Sequence, residues 1–204
     1  MTFAPPGDGP FAAPVRSPEA IAGQSEILFV CHGNQCRSPY AAAIAERLGG
    51  GRSLRFHSAG LIEGGRSMPT VGRALAARIG YDFTQHRSRE LDAHDMAGFD
   101  LVLTAAREQA REVIAENPDA WPRVFTIKQF ARWIQENPRP PRAALGSWLD
   151  AAAADRPRTE LVGADPADDV ADPLLLPERA WTTMVDELTR DLTTIIEGLA
   201  PTSR

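Results

Sequence analysis

The sequence predicts an α/β fold, a three-layer sandwich with a four-stranded parallel sheet and helices on both faces. Three observations carry that expectation. Short apolar runs alternate with helix-like segments along most of the chain, a pattern that produces parallel strands joined by right-handed crossovers. The first run, Glu26–Val30, is nearly continuous in apolar residues, as a strand buried on both faces should be. At the far end Trp181, Met184, Val185, Leu188, Leu192, Ile195, Ile196 and Leu199 form a helical stripe that must lie against an apolar surface.

The elements follow in order. After the strand at Glu26–Val30, Ser38–Leu48 reads as a helix: Pro39 suits its first turn, Ala41–Ala45 favour helix, and Gly49–Gly51 end it. Leu54–Ala59 is the second strand, and Pro69–Ile79 a helix closed by Gly80. Leu101–Thr104 is the third strand, and the helix behind it runs to Glu116, where Asn117-Pro118 stops it. Val124–Ile127 gives the fourth strand and Lys128–Gln135 a short helix. Two regions stand apart. Residues 1–24 hold five prolines and three glycines and read as a disordered tail on a domain spanning 25–204. Asn137–Asp169, with its proline cluster, a helix around Trp148 at Ala143–Ala154 and a polar acidic stretch, reads as an insertion.

Composition excludes several classes. At 204 residues, 43% hydrophobic, 24% charged and net charge −5, the chain is neither disordered nor a basic nucleic-acid binder. No apolar run approaches a membrane span and no leader pattern opens the chain, so a cytoplasmic protein is expected. There are two cysteines, Cys31 and Cys36, which rules out both a disulfide framework and a four-cysteine zinc site.

Those cysteines lie in Cys31-His32-Gly33-Asn34-Gln35-Cys36-Arg37-Ser38, between the first strand and the first helix. Ligands of open α/β sheets bind at the carboxyl ends of strands, where helix N-termini point free amides. Gly33 allows close backbone approach, Asn34 tolerates a left-handed conformation, and successive amides of such a turn converge on an oxyanion. Arg37 adds a guanidinium that grips phosphate through two parallel hydrogen bonds. Cys31 would face the phosphorus, and cysteines at helix N-termini have pKa values of roughly 3.5–7.5. Ser38 is placed to donate to its sulfur or to cap the helix. Taken singly, Cys31 would be a core residue and Ser38-Pro39 a helix start; together they supply a nucleophile, an anion cradle and a charge clamp.

CHGNQCRSP closely resembles the phosphate-binding loop of the low-molecular-weight protein tyrosine phosphatases. Further pieces occur in that family's order: His57-Ser58-Ala59-Gly60, His86-Arg87-Ser88-Arg89, Phe99-Asp100-Leu101-Val102-Leu103 and Asp172-Pro173. The resemblance implies a phosphatase that hydrolyses phosphomonoesters, above all protein phosphotyrosine, through a cysteinyl phosphate. It implies Cys31 as nucleophile, Arg37 and the loop His32, Gly33, Asn34, Gln35, Cys36, Arg37 and Ser38 as the phosphate site, and Asp172 as general acid. Asn34 would hold the loop shape with His86 as its partner, and Ser58 would support it. No metal or other cofactor is required, and the partner is a phosphorylated protein rather than nucleic acid or membrane.

Alternatives attach to several of these residues. Asp165-Pro166 is a second Asp-Pro pair, an ordinary turn signal in itself, but the run Leu174–Leu176 would wall a pocket around Asp172. The cluster Asp165, Asp168, Asp169 and Asp172 reads as a solvated acidic loop in preference to a metal site. Cys36 is either packing beneath the loop or, by resemblance, a redox guard for Cys31. His32, His57 and His94 read as structural or exposed.

Departures from the family bear on substrate. Leu174, Leu175 and the stretch Leu61–Met68 stand where phosphotyrosine-specific members carry ring-stacking aromatics; Gln35 replaces an aliphatic residue, and Thr104-Ala105-Ala106-Arg107 lacks an aspartate common there. A phosphoarginine phosphatase and an arsenate reductase are the alternatives. The absence of cysteine after Cys36 argues against an arsenate reductase with an internal cysteine relay.

Overall fold

The computed structural model describes residues 24–49, 52–154, 156–157 and 166–199. The expected tail lies outside these residues apart from Gln24. The sheet has the order β2-β1-β3-β4, built from β1 (Ser25–Cys31), β2 (Leu54–Gly60), β3 (Leu101–Thr104) and β4 (Val124–Thr126). Every pairing is parallel. Among the described residues the helices are α1 (Arg37–Gly49), α2 (Thr70–Arg78), α3 (Arg107–Glu116), α4 (Ile127–Glu136), α5 (Leu145–Ala152) and α6 (Glu178–Leu199).

Strand alternation sorts the side chains into two layers. Ile27, Phe29 and Cys31 of β1 join α1, α4 and the Trp181–Leu199 stripe of α6 in the larger core cluster. Leu28 and Val30 point the other way, to Met96, Phe99, Val113 and Trp121. This is the three-layer sandwich the alternation of elements requires.

Element ends differ from expectation where backbone pairing or capping decides them. Both β1 and β2 run one residue further, because Cys31 still pairs with Gly60. In contrast β4 stops at Thr126, whose hydroxyl accepts the amide of Gln129 while Gln129 Oε1 accepts that of Thr126, so the strand turns directly into a capped helix. Three 3-10 turns, Ala93–Gly98, Pro118–Arg123 and Pro166–Asp168, carry no periodic signal and went unforeseen.

The segment expected as an insertion carries α5, at the place Trp148 marked. Leu145, Leu149 and Ala153 are buried in the larger core cluster, and Trp148 packs its ring, tilted by 45°, 5.3 Å from that of Trp133. Arg139 ties the segment to the end of α6 by donating to Leu199 O.

Candidate active site

The loop from Cys31 to Arg37 sits where β1 ends and α1 begins, at the carboxyl edge of the sheet. Its keystone is Asn34, fully buried and in the left-handed conformation, with φ of 49°. Asn34 Nδ2 donates to Ser38 Oγ at 2.9 Å and Ser58 Oγ at 3.0 Å, while its Oδ1 accepts the amide of Arg89 at 3.0 Å. His86 Nε2 lies 2.7 Å from Asn34 O, and since a carbonyl only accepts, that nitrogen carries the proton. Burial holds the His86 pKa below its ordinary value, opposed by this hydrogen bond, and the neighbouring Arg89 and Arg87 charges push the same way as burial. His86 is thus a neutral strut for the loop.

Gly60 is required by a close approach. A Cβ there would stand 2.9 Å from both Asn34 N and His32 O, so any side chain would displace the loop. The same residue receives the 86–91 segment: Gly60 N donates to Arg89 O and Leu91 N to Gly60 O, both at 2.7 Å.

Cys31 is buried, with Sγ 3.1 Å from Ser38 Oγ. Asn34 fills an acceptor site on that hydroxyl, which leaves its proton for the sulfur or for Ala59 O at 3.2 Å. Cys36 is buried as well, in the larger core cluster. Its thiol is driven far up in pKa, first by burial and then by the charges of Asp172 and Cys31. Gln35 anchors outward, its Nε2 donating to Ser67 O at 2.8 Å and so tying the loop to the 61–68 stretch.

Arg37 brings the distant Asp-Pro pair to the loop. Its guanidinium is 6% exposed; Nη2 donates to Asp172 Oδ2 at 2.5 Å, Nη1 to Val170 O at 3.4 Å, and Nε is buried with no protein acceptor. Asp172 is itself 41% exposed and its Oδ1 accepts the amide of Leu174 at 3.0 Å. The rival Asp165 lies outside the described residues.

Two expectations need correction here. Leu174–Leu176 does not wall a pocket: the three leucines are 38%, 95% and 48% exposed, and Leu175 has φ of 64°. The Asp172–Leu174 hydrogen bond turns the chain outward and carries the leucines into solvent. Nor are Asp168 and Asp169, buried and half-buried, part of a solvated loop. Asp168, Asp169 and Asp172 are spent on three different arginines, Arg132, Arg107 and Arg37. Among the described residues no group of three or more His, Cys, Asp or Glu side chains is arranged to hold a metal ion.

Of the histidines, His32 is exposed, His57 pairs with the buried Glu26 at 2.7 Å, and His94 lies where side chains are not described. Sequence reasoning missed the Gln35–Ser67 tie and the Arg107–Asp169 pair. Neither has a local signal, although the two alanines ahead of α3 leave that helix without a cap of its own.

A family model for the low molecular weight phosphotyrosine protein phosphatases matches residues 26–138. The chain belongs to that family. The match ends where the segment 137–169 begins. A probable low molecular weight protein-tyrosine-phosphatase from Ralstonia solanacearum is 30% identical over 112 residues, covering 55% of this chain and 77% of its own. A protein-arginine-phosphatase from Bacillus subtilis is 36% identical over 112 residues, covering 52% and 71%. Among solved structures, the low molecular weight protein tyrosine phosphatase of T. tengcongensis superposes with a TM-score of 0.65 at 27% identity, covering 86% of this chain and all of that one (100%). An arginine phosphatase from Geobacillus stearothermophilus gives 0.64 at 25% identity, covering 86% and 92%. The protein is therefore a low-molecular-weight phosphatase by descent, a hydrolase of phosphoric monoesters. No helix among the described residues is long and apolar enough to cross a membrane.

Proposed function

We propose that this phosphatase dephosphorylates proteins in two steps, with Cys31 as nucleophile and Asp172 as general acid and base. The observation that carries the reading is the 2.5 Å contact between Arg37 and Asp172, which joins a loop and an Asp-Pro pair 135 residues apart into one site. Cys31 Sγ forms a bond to phosphorus as the bond to the leaving oxygen breaks, and Asp172 delivers its proton to that oxygen. Asp172, now a carboxylate, takes a proton from water, which attacks phosphorus and returns Cys31 with release of inorganic phosphate. The loop amides and Arg37 hold the nonbridging oxygens throughout, so positioning and electrostatic stabilisation do most of the work. The buried, unpartnered Nε of Arg37 is the donor this role needs. Ser38 donates to the sulfur when it leaves as thiolate.

Phosphotyrosine is the substrate the family match favours. Phosphoarginine is the second reading, favoured by a specific feature: neither the 61–68 stretch nor Leu174–Leu176 contains an aromatic residue to sandwich a phenyl ring. A reduced Cys31 fits a cytoplasmic setting.

The test is a panel of phosphotyrosine peptide, phosphoarginine peptide, aryl phosphate, and arsenate with a thiol, assayed with and without chelator. Chelator-insensitive release of phosphate from the phosphotyrosine peptide is the expected result. Preference for phosphoarginine would move the substrate while keeping the mechanism. Metal-dependent turnover that survives Cys31→Ser would overturn both.

A further inference from the structure

The general acid of this site sits on a short strap, residues 166–172, that crosses the carboxyl edge of the sheet. Arg37 is the partner Asp172 shares with the phosphate, so while the guanidinium holds the phosphate the acid must be held by its own strap. Among the described residues Asp172 is tied to Leu174 N and Arg37 in hydrogen bonds, and it is 41% exposed. The anchors therefore lie earlier in the strap.

Two adjacent carboxylates diverge there. Asp168 accepts from Gln129 Nε2, in the first turn of α4, at 3.0 Å and from Arg132 Nη2, a turn further on, at 2.5 Å. Asp169 accepts three hydrogen bonds at the start of α3: Arg107 N at 2.9 Å and Nε at 3.1 Å on Oδ1, and Nη2 at 3.0 Å on Oδ2. Ala106 offers α3 no side-chain cap, so Asp169 supplies one from 62 residues away together with a bidentate guanidinium pair. The next residue continues the fastening, because Val170 N donates to Ala105 O at 2.8 Å, and Ala105 N donates to Val30 O at 2.7 Å, immediately before Cys31. The two anchors differ in what they hold. Asp168, 9% exposed, meets an Arg132 that is 59% exposed, whereas Asp169, 33% exposed, meets an Arg107 that is 10% exposed and takes its backbone amide as well, so the second fixes the backbone where α3 begins.

We propose that the Arg107–Asp169 pair is a positioning latch for the general acid: by capping α3 with the strap it sets where Asp172 stands over the Cys31 loop. This rests on Asp172 being the acid.

The experiment compares wild type, Asp169→Ala, Asp169→Asn, Arg107→Lys, Asp172→Asn and the double variant Asp169→Ala with Asp172→Asn. Each is assayed on para-nitrophenyl phosphate, whose phenolate leaves unaided, and on phenyl phosphate, whose leaving oxygen needs the proton. Inhibition by inorganic phosphate reports the loop separately, and thermal melts report folding. Displacing an acid by a fraction of an ångström to an ångström costs one to two powers of ten, so Asp169→Ala should lose about tenfold or more in kcat/KM on phenyl phosphate, the constant that ends at the phosphoenzyme and leaves out the hydrolysis step both esters share. It should stay within about twofold on the activated ester and leave phosphate inhibition unchanged. Asp169→Asn keeps an acceptor for Arg107 N and should fall between, and on the Asp172→Asn background Asp169→Ala should cost nothing more.

Equal losses on both esters, or a further loss on the Asp172→Asn background, would reduce the pair to a structural ion pair and overturn the latch. A normal leaving-group dependence in Asp172→Asn, with none in the Asp169 and Arg107 variants, would sink the latch and spare the acid. No leaving-group dependence in Asp172→Asn would remove the acid and the latch with it. If Asp169→Ala does not fold, Asp169→Asn and Arg107→Lys carry the same comparison.

Discussion

The site is assembled from two regions held in opposite ways. The phosphate loop is a local object: Cys31 to Ser38 are contiguous, and the side chains that brace it are neutral and buried, with Asn34 at the centre of hydrogen bonds to Ser38, Ser58, Arg89 and His86. The strap that carries Asp172, the proposed acid, is a remote object, fastened by charge to the start of α3, to Arg132 within α4 and to Arg37. A cradle for an anion must keep one shape, and a neutral buried network gives that. An acid that meets a different group in each half-reaction is better held by anchors outside the reacting centre.

Variants at the loop separate chemistry from architecture. Cys31→Ser should cut turnover by at least about 10³-fold with little change in the melting temperature, measured by steady-state assay beside thermal denaturation. On the strap, Asp172→Asn should lower kcat/KM for phenyl phosphate by roughly 10²-fold or more and kcat/KM for para-nitrophenyl phosphate far less, since that constant stops at the phosphoenzyme. Asn34→Ala attacks the brace: losing three side-chain hydrogen bonds at about 1 kcal/mol each should destabilise the fold by roughly 2–4 kcal/mol in urea titration and weaken phosphate inhibition. A loss of turnover with an intact fold and intact phosphate affinity would instead give Asn34 a role in the chemistry.

The two regions also differ in their response to pH. The pKa of His86 is held below its ordinary 6.5, first by burial, so below that value the unfolded chain takes up a proton that the folded loop refuses. Stability from the loop is complete above about pH 7 and declines as the pH falls toward the depressed value. Asp169 behaves at lower pH. Burial opposes its ionisation, but the Arg107 hydrogen bonds win and hold its pKa below 3.8, so the strap keeps its contribution until the pH falls beneath that range. His86→Gln should therefore flatten the decline in stability that sets in as the pH falls below the ordinary histidine value of 6.5 and leave the acid limb unchanged. The smallest effect is at Leu175, almost fully exposed with φ of 64°. Leu175→Gly should raise stability by about 0.5 kcal/mol, since the left-handed penalty of about 1–2 kcal/mol slightly exceeds the extra entropy of glycine.

The same contrast explains what was legible in the sequence. Cys31, Arg37, Ser38 and the left-handed Asn34 could be read directly, because a strand, a tight turn and a helix start are local signals. The parallel sheet and the stripe of α6 followed from periodicity, and His86 and Ser58 from family order. The strap was not legible as structure. Asp168 and Asp169 look like any solvated acidic pair, and their partners Arg132 and Arg107 lie 36 and 62 residues away, the first within α4 and the second at the start of α3, whose cap comes from the strap. Leu174–Leu176 misled for a related reason: apolar composition suggests burial, but a carboxylate two residues earlier had already turned the backbone outward.

The central claim is that Cys31 carries the phosphoryl group between two steps served by Asp172. Asp172→Ala, mixed rapidly with para-nitrophenyl phosphate, quenched in acid and digested for mass spectrometry, tests it most directly. The account predicts a phosphate on the peptide containing Cys31, mapped to that sulfur and absent from Cys31→Ser. Phosphate on another residue, or sustained turnover with no labelled peptide at any quench time, would contradict it.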